Sequence, residues 1–275
     1  MSKVTITGIG GVQQTAIAAA FAAAGWEVAG TGRKDGATNL ETGAGLAAAF
    51  AGSDLAVFTV PQDHRPGVTT AMAQGVLRAA AEAGVGRVVV NLAARAIDGS
   101  DAAIFRTLRE IRELALSGRI PAVVLEPTVY MDNLLAPWSL PGILAGTLAY
   151  PAPESARITW ISHRTLADAV VAAATADVTG QSLRLGGPQA LTGPELAALL
   201  ENHLSRPMAY ARIPLDGFAA GLNAAFGPPA GDRIAELYAA LEDQPDAMAD
   251  GAEGMARLGV TPESLAAFAA RQTWA

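Results

Sequence analysis

A glycine-rich turn close to the start of the chain has the composition of a phosphate-binding loop. It follows a short β-branched run, precedes a helix-like stretch, and consists of Thr7, Gly8, Ile9, Gly10, Gly11, Val12, Gln13 and Gln14. Glycines permit a tight turn and let backbone N–H groups approach a pyrophosphate, which the N-terminus of the next helix also attracts. The G-x-G-x-x-G spacing is not met, because Gln13 occupies its third glycine position. We expect a dinucleotide at this turn; the alternative is a strand–helix turn without a cofactor.

Two basic residues after the second predicted strand indicate which dinucleotide binds. NAD-binding proteins carry an acidic residue about 20 positions beyond the turn, where it holds the ribose 2′-hydroxyl. This sequence has no carboxylate there before Asp35, and Arg33 and Lys34 stand in its place. Both cations could pair with a 2′-phosphate. We therefore predict NADP, with NADPH preferred over NADH; the alternative is a pair of solvated loop cations.

Four polar side chains follow predicted strands or lie near them and could act on a substrate. Tyr130 should face the ligand crevice, and His64 could donate a proton near neutral pH. Asn91 could orient a substrate carbonyl or the nicotinamide ribose, whereas His163 is expected to make a structural hydrogen bond. Tyr130 and His64 are the catalytic candidates, against the alternatives of a packed aromatic and a solvated loop histidine.

Other classes of function lack the residues they need. Cysteine is absent, the three histidines have no metal-ligand spacing, and no G-x-S-x-G motif occurs. Thiol catalysis, a metal site and α/β-hydrolase chemistry are therefore not expected. The net charge of −7 without a basic run argues against nucleic-acid binding. The apolar stretch 16–26 is too short for a membrane span, so we expect a soluble, cytoplasmic protein.

The elements that must position these residues alternate between strands and helices. Strands are predicted at 4–7, 26–29, 55–60, 87–92 and 122–125, and helices at 12–24, 68–83 and 102–116. This alternation predicts an α/β fold with a doubly wound parallel sheet of the Rossmann type, whose crevice lies beyond the strand C-termini. The cofactor contacts expected at that edge, besides the glycine turn, are Thr59, Val60, Pro61 and Asn91. We also expect a rudimentary strand at 37–41.

The second half of the chain has a looser pattern of short strands, helices and proline-rich turns, with strands predicted at 157–161 and 182–185. We assign residues 1–133 to the dinucleotide-binding domain, with core strands recruited from 157–186 where the sheet needs them. Residues 134–275 mainly form a smaller C-terminal α/β lobe that covers the substrate. The substrate pocket is expected to contain Tyr130, Met131 and Trp138.

Five segments, in the same order along the chain, resemble the NmrA-like branch of the atypical short-chain dehydrogenase/reductases. The glycine turn is similar to that family's glycine-x-threonine-glycine-x-glutamine-glycine, with Gly10 in the threonine position. The other segments are residues 53–61, 83–90, 117–133 and 185–192. The resemblance implies a Rossmann fold that binds NAD(P), in either a reductase or a redox sensor.

The sequence departs from the short-chain reductase pattern at two points. Gln14 stands where the family has a small residue for helix packing. Extended members use a tyrosine-x-x-x-lysine pair as the acid catalyst. None of the four tyrosines here has a lysine four residues later, and the only lysines are Lys3 and Lys34. The usual acid catalyst is therefore absent.

Two functions are consistent with these residues. The first is an NADPH-dependent oxidoreductase that reduces a small, fairly apolar carbonyl, imine, enone or quinone, with the cofactor supplying the chemistry. The second is a non-catalytic NADP-binding redox sensor that signals to a protein partner. The expected partner is a small-molecule substrate, with no nucleic acid and no membrane, and a homodimer or protein partner is left open.

Overall fold

The computed structural model describes residues 1–32, 38–61, 63 and 65–274. Its strands are β1 (Lys3–Thr7), β2 (Glu27–Thr31), β3 (Leu55–Thr59), β4 (Arg87–Asn91), β5 (Ala122–Pro127), β6 (Thr147–Tyr150), β7 (Ile158–Thr159), β8 (Ser182–Leu185), β9 (Ala190–Leu191) and β10 (Ala209–Arg212). Its helices are α1 (Val12–Ala23), α2 (Leu46–Phe50), α3 (Val68–Glu82), α4 (Ala103–Ser117), α5 (Leu140–Leu144), α6 (His163–Ala173), α7 (Gly193–Leu204), α8 (Leu215–Phe226), α9 (Ala230–Asp243), α10 (Ala252–Arg257) and α11 (Leu265–Ala270). A 3-10 helix, Met131–Leu135, follows β5.

Six strands form a parallel central sheet in the order β2-β1-β3-β4-β5-β8. Every residue of β3 and β5 is buried, because helices cover both faces of the sheet. Alternate residues of β3 show the two faces. Phe58 packs in a core with α3 and α4, and Val57 packs in a second core with α1 and α6. This architecture confirms the predicted Rossmann-type α/β fold.

The five strands predicted in the first half of the chain all lie in this sheet, with ends shifted by at most two residues. The segment predicted at 182–185 joins them as β8, which pairs with β5 from Val124↔Ser182 to Pro127↔Leu185. Gly25 has a positive φ of 80° directly after α1, as its position at the helix end predicts. Glycines and prolines between the apolar runs therefore predicted the ends of these elements to within two residues.

The prediction of a strand at 37–41 was wrong over its described part, residues 38–41. The Asn39 side chain there accepts backbone hydrogen bonds from Glu41 and Thr42, at 2.8 and 3.1 Å, which closes a turn. The chain then enters α2 and returns directly to β3. As a result, β2 is the edge strand of the sheet. Side-chain bonding by asparagine competes with strand pairing here.

The second half of the chain forms two small sheets and a helical layer. β10 pairs with β6 in parallel, and β7 pairs with β9 in an antiparallel pair. The sequence predicted a strand at 157–161, but only β7 is paired regularly, and Ile161 forms an isolated bridge with Tyr130. That bridge brings the start of α6 to the end of β5. The domain boundary at residue 133 stays a prediction.

Among the described helices, none is both long and apolar enough to cross a lipid bilayer.

Candidate functional site

A cavity of about 1580 Å³ lies at the carboxyl ends of the sheet strands. Its wall begins at the start of α1, passes the segments after β3 and β4, and reaches the 3-10 helix, α8 and α9. Pockets for small ligands are typically about 300–1,000 Å³. The cavity is therefore large enough for a dinucleotide together with a second molecule, at the edge of the sheet where the sequence predicts the crevice.

The glycine turn has the geometry of a phosphate-binding loop. Gly8 has a positive φ of 67°, and its carbonyl accepts a 2.9 Å hydrogen bond from the Gly11 N–H. Gly11 precedes α1 without any side-chain cap, so the first N–H groups of the helix are free for a ligand. A Cβ added at Gly10 would meet no atom within 4 Å. The turn thus fits the pyrophosphate of a dinucleotide.

Some of the predicted cofactor residues line the cavity, and others lie in or behind the glycine turn. The wall contains Gly11, Val12, Gln13, Thr59, Val60 and Pro61. Thr7 is buried, and its hydroxyl donates to the Val57 carbonyl. Thr7 therefore supports the turn from inside the protein, whereas Gly8 and Gly10 belong to the turn itself and not to the described cavity wall. Arg33, Lys34 and His64 lie outside the described residues, so their predicted roles stay predictions.

Gln14, the departure from the family pattern, leaves α1 in place. The helix begins at Val12, as predicted, and the Gln14 side chain folds back so that its Oε1 covers Gly11. Gln14 also lines the cavity. A flexible amide therefore lies beside the helix N-terminus, where a phosphate would approach.

Asn91 supports the site from inside the protein. It is fully buried, and its Nδ2 donates to Gln13 Oε1 at 3.0 Å. Its Oδ1 accepts from the Ala93 N–H at 3.0 Å. Asn91 does not belong to the described cavity wall, and its predicted contact with a substrate or ribose stays a prediction; in this structure its amide fixes Gln13. This link between α1 and the end of β4 was not predicted.

Tyr130 lines the cavity, but its hydroxyl makes hydrogen bonds within the protein. Its hydroxyl donates to the Ala93 carbonyl at 3.1 Å and lies 3.4 Å from Gln13 Oε1. The side chain is 7% exposed, and burial raises the pKa of the phenol well above its ordinary value. Tyr130 is therefore a neutral phenol whose hydroxyl already has a hydrogen-bond partner in the protein.

His163 and Asp132 form a pair on the cavity wall beside Tyr130. The His163 Nδ1 lies 3.4 Å from Asp132 Oδ1, and the His163 backbone N–H donates to Asp132 Oδ2 at 2.8 Å. The imidazole and phenol rings have centroids 4.9 Å apart. From the sequence, His163 is expected to make only a structural hydrogen bond, and Asp132 is not among the predicted site residues. Their proximity depends on the bridge between Tyr130 and Ile161, which joins distant segments.

The predicted substrate residues differ in their placement. Trp138 lines the cavity, is 56% exposed, and packs edge-to-face on Phe226 of α8 with ring centroids 6.3 Å apart. Met131 does not face the cavity: it is 1% exposed and packs in the core near Gly187. The 3-10 helix that starts at Met131 places this side chain in the core, and its predicted role in the substrate pocket stays a prediction.

Within the described ranges, no group of three or more histidine, aspartate or glutamate side chains is placed to hold a metal ion.

Comparisons with known proteins agree with this architecture. A reductase of (4-alkanoyl-5-oxo-2,5-dihydrofuran-3-yl)methyl phosphate from Streptomyces griseus subsp. griseus is 31% identical over 198 residues, 71% of this chain. An NAD(P)H azoreductase from Xenophilus azovorans is 29% identical over 170 residues, 61% of this chain. The matched regions span 66% and 59% of those two relatives, less than two thirds of each.

Solved structures share the fold over nearly the whole chain. An NADPH-dependent quinone oxidoreductase from Escherichia coli, in complex with NADPH, superimposes with a TM-score of 0.75 at 19% identity and covers 97% of this chain and 98% of its own. The family model described as the NmrA-like family matches residues 37–252. The chain therefore belongs to the NmrA-like family.

Proposed function

We propose that this protein is an NADPH-dependent oxidoreductase that reduces a small, fairly apolar carbonyl, imine, enone or quinone. The observation that carries the proposal is the continuous cavity, which starts at the uncapped N-terminus of α1 and ends against aromatic side chains of the C-terminal half. One end has donors for a dinucleotide phosphate, and the other offers space for an apolar molecule.

The proposed cofactor is NADP, and the glycine turn supplies its phosphate site. Gly11, Val12 and Gln13 would contact the pyrophosphate, and the segment Thr59, Val60 and Pro61 would pass along the dinucleotide. When bound, the reduced nicotinamide supplies a hydride. The preference over NADH rests on Arg33 and Lys34 in the sequence. The names of the azoreductase and the quinone oxidoreductase, which specify NAD(P)H and NADPH, are consistent with it.

The proposed substrate class follows from the far wall of the cavity, which is rich in apolar and aromatic side chains. It includes Trp138, Tyr150, Phe218, Leu222, Phe226 and Tyr238. The Tyr150 and Tyr238 hydroxyls lie 2.8 Å apart and bond to each other, so neither needs a substrate partner. Such a wall favours planar or apolar molecules over sugars or polyols. By their names, the two relatives are a (4-alkanoyl-5-oxo-2,5-dihydrofuran-3-yl)methyl phosphate reductase and an azoreductase, so both are reductases.

Turnover assays separate this proposal from the NADP-binding sensor. Purified protein is mixed with NADPH or NADH and a panel of quinones, enones, imines and azo compounds, and loss of nicotinamide absorbance is followed. We expect sustained oxidation with at least one acceptor, and a higher kcat/KM for NADPH than for NADH. Tight NADPH binding without turnover on any acceptor would instead favour the sensor.

A further inference from the structure

We propose that His163, oriented by Asp132, is the group that donates the proton to the reduced substrate. This inference rests on the proposed reductase function. It assigns the acid role to a residue pair outside the tyrosine–lysine pattern and outside the sequence-based candidates Tyr130 and His64. His163 would be the catalytic residue, and Asp132 a positioning residue.

Asp132 holds the histidine through two contacts. Its Oδ2 accepts the His163 backbone N–H at 2.8 Å, and its Oδ1 lies 3.4 Å from the ring Nδ1. One carboxylate thus fixes the start of α6 and orients the imidazole at the same time. With Nδ1 facing Asp132, Nε2 is the remaining ring nitrogen, and no hydrogen-bond partner for it occurs among the described residues. A histidine on a cavity wall with one nitrogen held by a carboxylate is suited to proton transfer through the other.

Tyr130 is less suited to the same step, although it lies on the same wall. Its hydroxyl has two acceptors inside the protein, the Ala93 carbonyl at 3.1 Å and Gln13 Oε1 at 3.4 Å, so donation to a substrate would break an internal hydrogen bond. Its ring packs against His163 at 4.9 Å. Tyr130 therefore serves as a rigid support that limits movement of the imidazole.

The charges around the pair allow His163 to change its protonation state. The carboxylate of Asp132 favours the imidazolium, while burial opposes it and lowers the pKa of His163 below its ordinary value. The other charged groups in the same region are Arg164 on α6 and the ion pair between Glu263 and Arg271. The Asp132 charge acts on Arg271 as well. The ring is thus mainly neutral at neutral pH and becomes protonated as the pH falls.

In the proposed step, His163 supplies the proton that accompanies hydride transfer to the substrate. The substrate carbon receives a hydride from the reduced nicotinamide, and the π electrons of its C=O or C=N bond move to the heteroatom. The heteroatom then bonds the proton from Nε2 of His163, and the ring is left neutral. Water returns a proton to the ring before the next turnover. Since the acid form is the imidazolium, kcat should rise as the pH falls through the pKa of His163.

The test compares His163→Gln, Asp132→Asn and Tyr130→Phe with His203→Gln. His203 is a matched control, because it lies on α7 against Trp274 and outside the described cavity wall. General acids contribute about 10²–10⁴-fold. We expect His163→Gln to lower kcat by about 10²-fold or more and to abolish the acid-side rise. Asp132→Asn should move that rise to lower pH, since it removes the charge that favours the imidazolium. Tyr130→Phe and His203→Gln should retain the rise.

A second readout does not depend on turnover. NMR titration of the histidine rings should show that one resonance, assigned by its loss in His163→Gln, titrates at lower pH in Asp132→Asn than in the wild type. The same resonance should shift when NADP⁺ is added.

Two results would overturn the proposal. The first is a His163→Gln enzyme with the kcat and pH profile of an active wild type, and the second is a His163 resonance unaffected by Asp132→Asn. If the wild type fails to oxidise NADPH with any of the acceptors, the proposed function fails, and the proton-donor role of His163 fails with it. The NMR titration would then show only whether Asp132 and His163 interact.

Discussion

At the scale of single residues, Gly10 distinguishes a cofactor turn from an ordinary strand–helix turn. A Cβ at this position would enter open space, and Gly10 is not among the glycines with positive φ. A larger side chain is therefore compatible with the fold of the turn. It would, however, stand beside the free N–H groups of α1, where the pyrophosphate is expected.

Gly10→Val should weaken NADPH binding without unfolding the protein. We expect the Kd from calorimetric titration to rise by about tenfold or more, which corresponds to about 1.4 kcal/mol. The melting temperature of the ligand-free variant should equal that of the wild type, which is the control for folding. Unchanged affinity would mean that the turn has no cofactor role.

Candidate site residues could be predicted from the sequence where consecutive elements of the chain place them. The glycine turn works this way, because strand, glycines and helix are consecutive in the chain. The His163–Asp132 pair could not be found in this way. Thirty residues separate its members in the chain, and the bridge between Tyr130 and Ile161 brings them together. The burial of Met131 was not predicted for a related reason: whether a side chain after a strand faces in or out depends on the 3-10 helix that follows.

At the scale of elements, a buried ion pair connects the end of β5 to α4 and β8. The Glu126 side chain is 2% exposed and lies 3.2 Å from an Arg112 nitrogen. It also accepts hydrogen bonds from the Ser182 hydroxyl at 2.5 Å and from the Ala96 N–H at 3.1 Å. Glu126 thereby fixes the strand that leads to Tyr130 and Asp132.

Removing this carboxylate should destabilise the fold strongly. Arg112 would keep Asp98 as a second partner at 3.2 Å, but the Ala96 N–H and the Ser182 hydroxyl would lose their acceptor. Two donors left unsatisfied, at about 1–3 kcal/mol each, cost about 2–6 kcal/mol together. We expect Glu126→Ala to lower the free energy of unfolding by about that amount in urea titrations. The matched control is Glu82→Ala, since Glu82 is 60% exposed in an i,i+4 pair with Arg78 and should change stability little. Equal effects of the two substitutions would contradict this role for Glu126.

The elements themselves followed from short-range patterns, with one instructive exception. Apolar runs between glycines and prolines gave the strands of the main sheet, because a parallel sheet buries both faces. At 38–41 the expectation came from the usual spacing of Rossmann strands, and a side-chain turn at Asn39 overrode it. The edge position of β2 therefore depends on one local competition that the apolar pattern does not reveal.

At the scale of the whole molecule, the C-terminal half closes the cavity over the strand ends. Arg95, which follows β4, is 1% exposed and donates to the Leu185 carbonyl at 3.3 Å and to the Asp250 carbonyl at 2.9 Å. It also pairs with the Asp250 carboxylate. This arginine joins the sheet to the segment before α10. The cavity is thus a composite of both halves of the chain, and neither half contains the whole site.

In the proposed reaction, a hydride passes from NADPH to an acceptor inside this cavity. The most direct test is a single-turnover measurement with the bound cofactor carrying hydrogen or deuterium at the nicotinamide C4 position. We predict that an active acceptor oxidises the bound NADPH and that the deuterated cofactor reacts more slowly, because the C–H bond breaks in that step. If NADPH binds to the protein but is oxidised by none of the quinones, enones, imines or azo compounds, the protein is not the proposed reductase.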